Sequence, residues 1–153
     1  MTPTTEQPAE RETFTEEERA AMKERSKELK TATRRRSTKK DTREEGERDV
    51  QEKIAELTGA ERAAAERIHA IVAEHAPQLE PRTWYGMPAY ALGGKVVMFF
   101  QPASKFKARY STLGFNDAAQ LDDGAMWPVA YAITALAPAD EEAVIALVKR
   151  AAG

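Results

Sequence analysis

WYGMPAYALGGKVVMFFQPASKFKARYSTLGF, residues Trp84 to Phe115, carries 8 of the chain's 11 aromatic residues. Aromatic side chains bury the most apolar area per residue, so the core is expected here. Gly93-Gly94 parts AYAL from KVVMFF and is a two-residue hairpin signal, since both positions accept positive φ. Gln101-Pro102-Ala103-Ser104 turns the chain again. From Lys105 to Thr112 the pattern alternates, sending Phe106, Ala108 and Tyr110 to one face and Lys105, Lys107, Arg109 and Ser111 to the other. This predicts an antiparallel meander with one apolar face, closed by Gly114 and by Asp122-Asp123-Gly124. Val97 and Phe99 fall on a second apolar sheet face that needs a cover, which leaves the oligomeric state open.

Helices are expected on both sides of the meander. Val50, Ile54 and Leu57 recur at helical spacing within Glu47 to Leu57, and Thr58-Gly59 stops that helix. A second helix, from about Ala60 to His75, buries Ala65, Ile68, Ile71 and Val72 before Pro77. A last strand is expected over Val129 to Thr134, with Val129, Tyr131 and Ile133 on one face. Pro138 then opens a final helix with Asp140, Glu141 and Glu142 in its first turn and Val144, Leu147, Val148 and Ala151 as its buried stripe. The fold class is α+β, an antiparallel sheet of about 4–6 strands packed against helices.

The chain of 153 residues has no Cys, which excludes disulfides and thiolate metal sites and fits a reducing cytoplasm. Apolar runs such as Val96 to Phe100 are far too short for a membrane span, and the polar, acidic start TPTTEQPAERE predicts no secretory leader. Residues 1–49 hold 13 Lys/Arg and 13 Asp/Glu with almost no large apolar side chains, against 10 and 12 in the remainder. Such a segment offsets little of its ordering entropy, so residues 1–46 are expected to be an extension and 47–153 the folded domain. Within the extension, Thr15 to Glu18 reads as a capping box opening a helix to about Lys30, with Phe14, Met22 and Leu29 as its thin apolar side. Residues 30–46 are expected to be a flexible linker; the basic run 30–40 has six cations and no aromatic platform for stacking bases. With a net charge of −2, nucleic acid is not expected as the partner.

Trp84-Tyr85-Gly86-Met87-Pro88-Ala89-Tyr90 after a helix ending in Ala-Pro, then Gly-Lys-Val-Val-Met-Phe-Phe and Lys-Phe-Lys-Ala-Arg-Tyr, resembles the YdhG-like family, domain of unknown function 1801. The likeness covers about residues 50–150 and is sharpest at Tyr85-Gly86-Met87-Pro88. It implies a small intracellular α/β sandwich compared with the frataxin fold, and one branch of the family has been proposed as an iron chaperone. A fold likeness of this kind indicates architecture more than activity.

No GxSxG, P-loop, HExxH or dinucleotide-binding Gly motif is present. The two histidines, His69 and His75, are six apart and do not share a helix face, so His75 reads as a helix-end residue rather than a metal ligand. The strongest binding candidate is Lys105, Lys107 and Arg109 on one strand face beside Trp84, Tyr85 and Met87. Three cations there hold a carboxylate or phosphate, and the aromatic rings cover an apolar body. Gly86 with Met87-Pro88 is read either as a kink that lets Trp84 fill the core or as a pocket rim. The expected function is a non-enzymatic domain that binds an anionic small molecule, with no cofactor. The alternative is iron delivery through exposed carboxylates, for which Glu52 and Glu56 at i, i+4 and Asp122 and Asp123 in a loop are the candidates.

Overall fold

The computed structural model describes residues 14–38 and 42–153, the side chains of 35–38 excepted. Among the described residues, five helices and five strands follow in the order α1 (Glu16–Thr38), α2 (Thr42–Ala55), α3 (Gly59–His75), β1 (Glu80–Trp84), β2 (Met87–Leu92), β3 (Lys95–Gln101), α4 (Ala103–Phe106), β4 (Ser111–Phe115), β5 (Ala130–Ile133) and α5 (Pro138–Ala152). The strands form one antiparallel sheet in sequence order. The class is therefore α+β, as expected. Among the described residues no helix is long and apolar enough to cross a membrane.

Helices α2, α3 and α5 cover one sheet face because each carries an apolar stripe. Val50 and Ile54 of α2, Ile68, Ile71 and Val72 of α3, and Val144 and Val148 of α5 meet Tyr90, Val97, Met98, Phe100, Leu113 and Ile133 of the sheet in one core. Each such aliphatic side chain contributes about 1.5–3 kcal/mol on burial. Arg67 of α3 ties to Glu141 of α5 at 2.7 Å, and Asp140 caps α5 by accepting the Ala137 N–H at 2.9 Å.

The sheet differs from the sequence reading in three places. β1 was not expected, because EPRTW has no apolar alternation and contains Pro81; an edge strand tolerates that proline, which needs no outer ladder bond. Ala91 pairs with Val96 while Tyr90 pairs with Met98, so the bulge puts both Val97 and Met98 in the core. Val97 therefore does not share the second face with Phe99, whose ring instead meets Trp84 at 5.2 Å, and Trp84 is half-buried outside the core.

The third difference bears on function. Lys105 to Thr112 is not one alternating strand: Ala103–Phe106 is a turn of helix, Lys107 takes φ 53, and β4 starts only at Ser111. The cause is long-range. Glu61 of α3 accepts the Ser104 N–H at 2.9 Å and its hydroxyl at 2.6 Å, and the Ser111 hydroxyl accepts the Ala103 N–H at 3.0 Å. Phe106 is consequently only half-buried and Tyr110 is exposed, so neither enters the core.

The N-terminal helix also runs further than Lys30, to Thr38, and the second begins at Thr42 rather than Glu47. Residues 30–38 and 42–46 are thus helical rather than a flexible linker, while residues 1–13 and 39–41, with Lys39 and Lys40, lie outside the described residues. Thr15 caps α1 by accepting the Glu18 N–H at 3.1 Å. Gly46, read as a domain boundary, is buried inside α2 against the Pro81 carbonyl.

Candidate functional site

A charge constellation joins α1 to the β1–β2 turn. Tyr85 and Gly86 form a two-residue hairpin turn in which both have positive φ, 52 and 75. Their consecutive N–H groups point outward and donate to one carboxylate: Tyr85 N–H to Glu28 Oε2 at 3.0 Å, Gly86 N–H to Glu28 Oε1 at 2.9 Å. Successive N–H groups in such a bend make an anion-binding concavity. A Cβ on Gly86 would collide with the Glu24 carboxylate, so glycine serves both the turn and the close approach.

Glu24, one turn earlier on α1, lies between two ammonium groups: Lys105 of α4 at 2.9 Å and Lys53 of α2 at 3.2 Å. Glu17 meets Lys107 at 2.7 Å. Burial raises the Glu24 pKa, but the bonds to Lys105 and Lys53 outweigh it and hold the carboxyl below its ordinary range. Lys107 does the same for the half-buried Glu17. For Lys53, burial lowers the pKa and Glu24 more than restores it, leaving it raised. Among the described residues the two non-glycines with positive φ, Tyr85 and Lys107, both touch α1. Each such conformation costs about 1–3 kcal/mol, and strain of this size tends to collect at functional sites.

Among the described side chains of α1, apolar burial contributes little to its docking. Phe14, Met22 and Leu29 are exposed, and among the described side chains of α1 only Ala21 is buried. The residues of α1 that meet the rest of the fold include Glu17, Ala21, Glu24 and Glu28. A bond to an ionised group contributes about 1.5–3 kcal/mol, and a half-exposed ion pair about 0.2–1 kcal/mol. The attachment is electrostatic, hence sensitive to acid and to salt. Glu17 and Glu24 have folded pKa values below their ordinary 4.5, so their contribution is complete above that pH and fades as pH falls through the folded values. An NMR titration should show the Tyr85 and Gly86 amides moving together with α1 below pH 4.5 while core signals persist. Tyr85 and Gly86 amides that stay fixed while those of α1 move would contradict these contacts.

A groove of about 670 Å³ opens between α1, α2 and β1, with Glu24, Glu28, Lys53, Asp49, Arg82 and Thr83 among its walls. Charges of both signs line it, and Lys53 stands where the groove meets the turn site.

The structure therefore brings together Tyr85, Lys105 and, at the rim, Lys107, but not as a sheet face. Arg109 is elsewhere: its guanidinium lies 5.2 Å from the Tyr110 ring centroid, beside a depression of about 130 Å³ with Glu61, Ser111 and Thr134. Trp84 packs edge-on against Tyr85 at 4.9 Å, and Met87, its partner across the turn, is buried. The residues missed were Lys53, Glu24, Glu28 and the Gly86 N–H. Their signal was the acidic stripe at 17, 24 and 28, which shares one helix face by its spacing of seven and four.

A second polar cluster is internal. His69 places Nδ1 2.9 Å from the Tyr90 hydroxyl and Nε2 2.6 Å from Glu47 Oε1, so it links α3 to β2 and α2 rather than standing free on a helix. Burial, with the charge of Glu47 adding, pushes the Tyr90 phenol far up; it stays neutral and structural. Burial raises the Glu47 pKa, but its bonds to His69 and Gln51 bring it below the ordinary range.

The iron candidates do not converge. Glu52 is exposed at the groove, Glu56 pairs loosely with Lys53 at 3.7 Å, and Asp122 and Asp123 are exposed in the loop after β4. Among the described residues no three His, Asp or Glu side chains form a set that could hold a metal ion. No family model matches the chain, and no curated protein or solved structure does.

Proposed function

We propose that this chain is a non-enzymatic binding domain for an anionic small molecule, with its site at the Tyr85-Gly86 turn, Lys53 and Lys105. One observation carries the reading: two backbone donors and two ammonium groups converge on carboxylates at 2.9–3.2 Å. Lys107 at the rim adds charge, and the Tyr85 ring, with Arg25 5.9 Å from its centroid, offers an aromatic wall. The likeness to the YdhG-like family belongs to this proposal too, since an α/β sandwich of that kind agrees with the observed layers. Iron delivery, the other reading, has no convergent ligand set among the described residues to favour it.

Isothermal titration of the full chain against a panel of carboxylates and phosphates tests the site. Lys105→Ala and Lys53→Ala are each expected to weaken the best binder about tenfold, equivalent to about 1.4 kcal/mol. Arg109→Ala should leave it unchanged, because Arg109 faces a different depression. Equal affinities across all three variants would place the site elsewhere.

A further inference from the structure

We propose that α1 is an internal, displaceable ligand: its Glu28 and Glu24 carboxylates occupy two subsites for a short dicarboxylate, so that the resting chain blocks its own site. The inference rests on the anion-binding reading above and adds the ligand class and its control.

The contacts of Glu28 are those a free carboxylate makes in a backbone concavity, one oxygen on each of two successive N–H groups. Glu24 fills the adjoining place, over the Cα of Gly86 and between Lys53 and Lys105. These two carboxylates are four residues apart on one helix, a rise of about 6 Å. That spacing suits the two ends of an aliphatic dicarboxylate with a chain of a few carbons.

Displacement is feasible because α1 lacks the apolar anchor of the other long helices. Its large apolar side chains are exposed, whereas α2, α3 and α5 each insert at least two aliphatic residues into the core. Its grip on the site consists of the same charge-assisted bonds that a soluble dianion offers. Lifting α1 away also uncovers Lys53 and the groove floor along β1. An intramolecular competitor acts as a high effective concentration of ligand and lowers apparent affinity without altering the subsites.

The test uses the full chain, wild type and Glu24→Gln/Glu28→Gln, with glutarate as the two-subsite probe and acetate as the one-subsite probe at constant ionic strength. In the double variant, amides of 16–34 are expected to lose hydrogen-exchange protection while those of the sheet keep it. Glutarate should then shift the Tyr85 and Gly86 amides with a Kd at least tenfold below its value on the wild type, and below that of acetate on the same variant. Equal glutarate affinity for wild type and variant overturns self-blocking and leaves the anion site standing. An undocked α1 with no glutarate shift at Tyr85 and Gly86 overturns the anion site itself. Persistent protection of α1 overturns the role of these carboxylates. If the double variant loses its sheet signals, Glu28→Gln alone is read by the same criteria.

Discussion

Phe100→Ala is expected to lower the unfolding free energy by about 3–5 kcal/mol in chemical denaturation, while Tyr110→Ala costs less than about 1 kcal/mol. Phe100 is fully buried in β3, paired with Leu113 of β4, and belongs to the same core as the apolar side chains of α3 and α5. Removing its ring leaves a cavity that a central strand, paired on both edges, cannot close. Tyr110 lies in the segment between α4 and β4, its side chain against Arg109 and 39% of the residue exposed. A simple alternation over 105–112 would give both residues core status and comparable costs. Comparable costs would therefore restore that strand and remove the α4 turn on which Lys105 is positioned.

Gly46→Ala is expected to destabilise the protein by about 1–3 kcal/mol, against the usual direction of a glycine-to-alanine change inside a helix. Helix propensity alone would favour alanine by up to about 1 kcal/mol. At this position, however, an added Cβ would run into the Pro81 carbonyl, which is backbone and does not swing aside. Helix α2 would have to lift from β1, breaking the register that brings Lys53 to the turn site. Arg43 would also lose its hold, since it donates to the Pro77 carbonyl at 2.6 Å just ahead of β1. Denaturant midpoints of Gly46→Ala and the wild type decide the sign. A stabilised variant would mean that α2 and β1 do not touch there.

The helical stripes of α2, α3 and α5 and the Gly93-Gly94 hairpin were legible because their signals are local. Val50, Ile54 and Leu57 repeat at helical spacing whatever lies opposite, and every one of them is buried. The alternation at 105–112 misled because periodicity does not register a distant carboxylate: Glu61 captures Ser104 from 43 positions away. The chemistry of Lys105 and Tyr85 marks them as site residues in the sequence, yet they are joined by α1 rather than by a shared sheet face. They meet through α1, whose adhesive face consists of glutamates rather than leucines.

Composition and spacing by themselves determined the α+β class, the position of the core and the cationic character of the 105–109 segment. These follow from burial and periodicity, which a chain carries at every residue. Tertiary structure alone decided that Lys53 and Lys105 converge with two turn N–H groups, that Arg109 stands apart, and that α1 covers the result. Such convergence comes from contacts between residues far apart in the chain, 81 positions for Glu24 and Lys105, and electrostatic pairing at that range leaves no period in the sequence.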